Sequence, residues 1–212
     1  HIVPGVIQRS RLPNVMRGEE TQVLGVLQNL PVAAGADLLI GLPGSHSKWV
    51  EVVDGCITRF DTFMTGEVFA VLSEHSILGR TQQQGAAFDG QAFDRGVQVA
   101  LSADAELGVL STLFSARTLG LTGELSPTAQ ADYLSGLMIG HELAALATAQ
   151  RRRRDNPTLP SIILIGNAQL CTRYSRALDA CGFARVTLAE QATERGLWQL
   201  ALAAGLIDSS SR

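Results

Sequence analysis

Two spacings of apolar residues alternate along this chain and divide it into three stretches. The first opens with HIVPGVI, which reads as a strand running into a turn. NVMRGEETQVLGVLQNL (14–30) follows, with Val23, Leu24, Val26, Leu27 and Leu30 on one side, the period of a helix, and with Asn14 or Gly18 near its start. A turn-rich PVAAGAD leads to three short runs of strand character, LLIGL (38–42), WVEVV (49–53) and CITRF (56–60). Glu51 alternates with Val50 and Val52 as a half-buried strand requires, and Asp54-Gly55 favours a type I′ hairpin between the last two runs.

The middle stretch has a helical period. GEVFAVLSEHSIL (66–78) predicts a helix, TQQQGAAFDGQ (81–91) a polar connection, and AFDRGVQVALSADAELGVLSTLFSARTL (92–119) one or two more helices. SPTAQADYLSGLMIGHELAALATAQ (126–150) predicts a long helix with Ser126 as N-cap and Pro127 at its first position. Gly136 and Gly140, four apart, let a neighbour approach its backbone. RRRR (151–154) reads as a solvated last turn that complements the helix dipole, and DNPTLP as a linker. The last third alternates: strand SIILIG (161–166), helix AQLCTRYSRALDACG (168–182) closed by Gly182, strand ARVTLA (184–189), and helix EQATERGLWQLALAAGL (190–206) with Trp198 in the core.

Composition narrows the class. With 212 residues, 46% hydrophobic and 17% charged, the chain can bury a sizeable core as a soluble globular protein. A net charge of -3 and a pI near 5.8 give no footprint for nucleic acid or an anionic membrane, and no apolar run reaches bilayer length. Small molecules or proteins are the expected partners. Cys56, Cys171 and Cys181 form neither a CxxC pair nor a dense framework, which suits buried thiols in a reducing cytoplasm. His1 follows no Met and no signal peptide, so the chain is expected to begin inside a larger protein.

The order of elements resembles one half of the ribonuclease-H-like, actin-type ATPase fold. That fold is α/β, with a mixed sheet of three antiparallel-connected strands followed by alternating helix and strand. The resemblance implies a helical insertion at about 80–150, the end of an amino-terminal lobe and a connecting helix at 1–30, and a carboxy-terminal lobe at 31–212. Two such halves close over a nucleotide. In this fold the turn between the first two strands meets the phosphates, and Gly44, Ser45 and Ser47 in GSHSKW are small enough to let an anion reach the backbone N–H groups. His46 and Lys48 would add donors. Gly166, Asn167 and Ala168, between a buried strand and a helix start, would flank the adenosine. RGEETQ resembles the Gly-Asp-Gln-Gln helix start of carbohydrate kinases, so Glu19 or Glu20 would take the proton that the accepting alcohol loses.

NVMRGEETQ, LPGSHSKWV and FDTFMTGE, in this order and spacing, closely resemble the 2-dehydro-3-deoxygalactonokinase family, and the similarity runs from IVPGV through YLSGLMIGHE to the last helix. The resemblance implies that ATP, as its magnesium complex, phosphorylates the 6-hydroxyl of 2-dehydro-3-deoxy-D-galactonate, and that an aldolase then gives pyruvate and glyceraldehyde 3-phosphate. Family members carry an additional amino-terminal portion with an Asp-Trp-Gly-Ser-Thr-type phosphate loop. Nothing of that kind precedes His1, so this chain alone is not expected to turn over. Arg17 would hold the substrate carboxylate, and Thr65 and Glu67 would face the cleft unless Thr65 only caps the next helix. Arg117 is a substrate clamp or a snorkelling helix residue. His75 and His141 have no partners at metal spacing, and no protein metal site is expected. Other readings are a kinase for a different sugar acid or ketose, and a non-catalytic module that binds nucleotide or protein. Homo-oligomerisation stays open.

Overall fold

The computed structural model describes residues 1–28, 38–83, 85, 87–153, 158–183 and 185–208. The chain opens with a two-stranded ribbon in which β1 (Val6–Gln8) pairs antiparallel with β2 (Asn14–Met16). Asn14–Met16 is therefore a strand and not the first turn of the helix that the apolar period predicts. Gly18 adopts φ 111, a conformation natural to glycine, and α1 (Glu19–Leu27) starts directly behind it. The expected helix end at Leu30, the turn at 31–37, Arg154, the first half of the following linker and the strand start at Ala184 lie outside the described residues.

The main sheet has five strands. β3 (Leu38–Leu42), β4 (Ser47–Val53) and β5 (Cys56–Phe63) form an antiparallel meander, β6 (Ser161–Leu164) lies parallel beside β3, and β7 (Val186–Leu188) lies parallel beside β6. The order β5-β4-β3-β6-β7 is the ribonuclease-H-like arrangement implied by the resemblance. β4 and β5 outrun their apolar patterns, because the pairs Ser47↔Phe63 and Lys48↔Thr62 continue the ladder beyond them. Asp54 and Gly55 both have positive φ, as the type I′ turn needs.

Alternation of side chains sorts the core into layers. Leu39, Trp49, Ile162 and Leu164 face α3 (Gly90–Leu101), α6 (Gln130–Arg153) and α7 (Ala168–Ala180). Ile40, Leu42, Val50 and Ile163 face the other way, toward α1 and α8 (Ala192–Ala203). A satellite cluster around Tyr133, Leu134 and Leu137 of α6 gathers α2 (Thr65–His75), the short α4 (Val109–Thr112) and α5 (Ser115–Leu121).

The helical stretch is more broken than its pattern. Ser102 ends α3 and caps a single 3-10 turn at Ala103–Ala105, and Gly108 at φ 89 separates this turn from α4. Helix α6 begins at Gln130, because Ser126 and Pro127 belong to a turn closed by the Ala129 N–H on the Ser126 carbonyl at 3.0 Å. The close approach expected at Gly136 and Gly140 is present: a Cβ on Gly136 would collide with the Phe93 carbonyl oxygen, and one on Gly140 would lie 2.7 Å from the Ala100 Cβ. Cys171 and Cys181 are buried but Cys56 is exposed, and Trp198 is 37% exposed on α8 instead of lying in the core. Burial pushes the Cys181 thiol up to about 11, against a smaller opposing effect of Arg151.

β5 is an outer strand. The Phe60 N–H donates to Gln8 Oε1 at 2.9 Å, and its carbonyl accepts from Asn14 Nδ2 at 3.3 Å, so the ribbon's side chains take up this edge. Arg153 does more than complement the end of α6, because it donates to Glu51 and to Asp61, each at 2.7 Å. Burial alone would raise the Asp61 pKa, but hydrogen bonds and charges from Arg153 and Arg59 hold it below the usual value. A depressed carboxylate stabilises the fold above its unfolded pKa, and that contribution is lost as pH falls through the lower folded value. Asp61→Asn is thus expected to cost about 1 kcal/mol at neutral pH. Urea midpoints of the variant and the wild type should draw together only as pH falls from about 4 through the lower folded value.

Candidate active site

Because β3 and β6 are adjacent and parallel, the turns that leave their carboxyl ends emerge side by side. The first is the bend at Gly44–His46 and the second is Gly166–Asn167. β5 ends at the same rim and delivers Thr65, the first residue of α2. These segments and α6 surround a cavity of about 440 Å³ lined by Gly44, Ser45, Thr65, Gly66, Asn167 and Tyr174, with Asp132, Ser135 and Arg173 forming a polar wall. Gly166 and Ala168 flank Asn167 at exposed positions.

The turn is fixed by its neighbour. The Glu67 N–H donates to the Ser45 carbonyl at 3.0 Å, and a Cβ on Gly66 would collide with the Gly44 carbonyl oxygen and lie 2.8 Å from the Ser45 Cα. Only glycine lets α2 sit this close. At the other turn, Asn167 Oδ1 accepts from the N–H groups of Gln169 and Leu170 at 2.9 and 3.3 Å. Those helix-start donors are spent on the cap, which leaves the Gly44–His46 turn as the better source of N–H groups for an anion. The wall is equally tied: Arg173 pairs with Asp132 at 2.8 Å, donates to Ser135 Oγ at 3.1 Å and lies 4.5 Å over the Phe88 ring.

On the other side of the turn lies a second cavity of about 590 Å³, lined by Gly5, Val15, Arg17, Glu19, His46 and Lys48. Successive strand residues point oppositely, so Ser47 belongs to the first side and Lys48 to the second. The Lys48 ammonium donates to the Val15 carbonyl at 3.1 Å and to Thr62 Oγ1 at 2.8 Å. Burial lowers its pKa below the usual lysine value, and the Glu19 carboxylate opposes this. His46 is bonded to Glu67, which ties the turn to α2 a second time. Glu19 Oε2 accepts the Arg17 N–H at 2.9 Å, whereas both oxygens of Glu20 fold back onto the Gly18 N–H at 2.9 and 2.8 Å.

The structure thus gathers Gly44, Ser45, Thr65 and Asn167 around one cavity and Arg17, Glu19, His46 and Lys48 around the other. It leaves Glu20 at the helix start. Arg117 lies in the helical satellite, donates to Thr81 at 3.1 Å and lines neither cavity. Sequence reading missed Asp132, Ser135 and Arg173. The available signal was the three-residue spacing of Asp132 and Ser135, which puts both on one face of α6. Among the described residues no three His, Cys, Asp or Glu side chains converge as metal ligands, and no helix is long and apolar enough to cross a membrane.

Comparison with known proteins bears on this arrangement. A family model described as 2-keto-3-deoxy-galactonokinase matches residues 1–200. A Rhizobium meliloti (strain 1021) protein named "Probable 2-dehydro-3-deoxygalactonokinase DgoK1" is 38% identical over 203 residues, covering 92% of this chain and 62% of that protein. The 2-dehydro-3-deoxygalactonokinase of Escherichia coli (strain K12) is 33% identical over 184 residues, covering 85% of this chain and 57% of its own length. A crystal structure of a Sinorhizobium meliloti protein provisionally described as a 2-dehydro-3-deoxygalactonokinase superposes with a TM-score of 0.82 at 32% identity, over 96% of this chain and 65% of that one. The chain therefore spans about three fifths of the length of the curated relatives it matches. With nearly all of its residues matched by one family model, the chain belongs to the 2-keto-3-deoxy-galactonokinase family.

Proposed function

We propose that this chain is the larger part of an ATP-dependent kinase that phosphorylates the 6-hydroxyl of 2-dehydro-3-deoxy-D-galactonate. The observation that carries the reading is the side-by-side emergence of the two turns from β3 and β6, with an acid, Glu19, just across the phosphate-type turn. ATP occupies the first cavity, its phosphates on the Gly44–His46 turn and its adenosine near Gly166–Ala168. The sugar acid reaches the second cavity, where Arg17 takes its carboxylate. Glu19 accepts the proton of the 6-hydroxyl while that oxygen bonds the γ-phosphorus and the bond to the β,γ-bridging oxygen breaks, releasing ADP. Lys48, held by Val15 and Thr62, is a fixed positive charge near the transfer. Magnesium accompanies the nucleotide phosphates as the counter-ion of ATP. Residues 1–30 close the amino-terminal lobe, and the free thiols fit a cytoplasmic enzyme.

The test is a coupled ADP-release assay with 2-dehydro-3-deoxygalactonate, run on this chain and on a protein extended to the length of the relatives. Turnover in the extended protein alone is the expected result; no turnover in either form sinks the reading. Gly66→Ala in the extended protein is expected to weaken ADP binding about tenfold by displacing the turn, as measured by calorimetry. Unchanged affinity would mean that the phosphates lie elsewhere.

A further inference from the structure

Glu142, at the middle of α6, has only 3% of its surface exposed. Its carboxylate accepts from two neutral donors, Trp49 Nε1 at 2.7 Å to Oε1 and the Tyr174 hydroxyl at 2.8 Å to Oε2. With the Tyr174 proton directed at Glu142, Ser47 Oγ donates to the Tyr174 oxygen at 2.8 Å. Burial raises the Glu142 pKa, and the neighbouring polar groups of Thr65, Trp49, Tyr174 and Ser47 oppose that rise. Taking an acid so far out of water is costly, and these groups offset the cost only while all of them stay in place.

The polar groups around Glu142 come from the parts that build the first cavity. Ser47 directly follows the Gly44–His46 turn, Thr65 opens the helix that holds the Ser45 carbonyl, and Tyr174 lines the wall. We propose that Glu142 is a positioning residue for the nucleotide, a buried acceptor that, through Tyr174 and the Ser47–Tyr174 bond, sets the end of the phosphate turn and the wall of α7 in one mutual arrangement. It touches no reactant. The inference rests on the first cavity being the nucleotide site. A carboxylate accepts at both of its oxygens, whereas a glutamine of the same shape turns an N–H₂ group toward Trp49 or Tyr174, which themselves donate.

The experiment compares Glu142→Gln and Tyr174→Phe with the wild type in the extended protein, reading KM for ATP, KM for the sugar acid, kcat, and ADP affinity by calorimetry. The expected result for Glu142→Gln is an increase of about tenfold in KM for ATP and in the ADP Kd, with KM for the sugar acid changed less than about twofold. A merely structural role would lower the active fraction, so kcat would fall with both KM values unchanged; that outcome, or a parallel rise of both KM values, overturns the proposal. If Glu142→Gln does not accumulate as folded protein, Tyr174→Phe carries the test, with a rise of about threefold in the ATP terms alone expected and no change overturning it. A wild type that phosphorylates the sugar acid beside an unaffected pair of variants removes only this inference. A wild type that neither binds ADP nor turns over removes the nucleotide reading and the inference with it.

Discussion

Glu19→Gln, made in the protein extended to the length of its relatives, is expected to lower kcat by about 10²- to 10⁴-fold, with ADP affinity changed less than about twofold. Loss of the proposed proton acceptor should act on the chemical step, because Glu19 borders the second cavity and not the one assigned to nucleotide. Glu20→Gln is the matched comparison. Both of its oxygens are engaged by the Gly18 N–H, so its loss should loosen the start of α1 and cost less than about tenfold in kcat. Steady-state rates and calorimetry on both variants decide between them. If Glu20→Gln carries the large loss and Glu19→Gln does not, the base has been assigned to the wrong carboxylate; two active variants would remove the base from this helix altogether.

Gly136→Ala is expected to destabilise the fold by about 3 kcal/mol, because the new methyl group would collide with the backbone carbonyl of Phe93, which no change of rotamer relieves. In a chain of this size that corresponds to a melting temperature lower by about 10 °C. The contact holds α3 against α6, and both helices cover the sheet face that carries Leu39 and Trp49. The melt should therefore stay cooperative and shift as a whole. A midpoint within about 1 °C of wild type would mean that the two helices can separate at little cost.

Local patterns carried much of the architecture. Alternation at Val50–Val52 and the Asp54-Gly55 pair located the meander, and apolar runs located β6 and α7, because each of these depends on residues close in sequence. The misjudged elements depend on distant partners. Asn14–Met16 is a strand only because Val6–Gln8 pairs with it, and Ser47 and Lys48 extend β4 only because Thr62 and Phe63 lie opposite. In the site, the family-like motifs brought out Gly44, Ser45, Glu19 and Asn167. Glu142 and Asp132 carry no local signature beyond an acid on a long helix, and their surroundings come from β4, α2, α7 and the segment before α3. The long reach of Arg117 in sequence terms likewise says nothing of its neighbour Thr81, which keeps it in the helical satellite.

The bonds from Gln8 and Asn14 to Phe60 have a consequence for handling the protein. β5 ends the sheet, and an unoccupied ladder edge is a template on which a second chain can lay a strand. The ribbon's two amide side chains occupy the backbone donor and acceptor of Phe60, at the apolar centre of that strand, so the edge is closed to a visiting backbone at this point. A version trimmed to begin at Gly18 would open it. Such a version should show concentration-dependent association and poor solubility even where its core remains folded, so the first seventeen residues serve colloidal behaviour as well as the site.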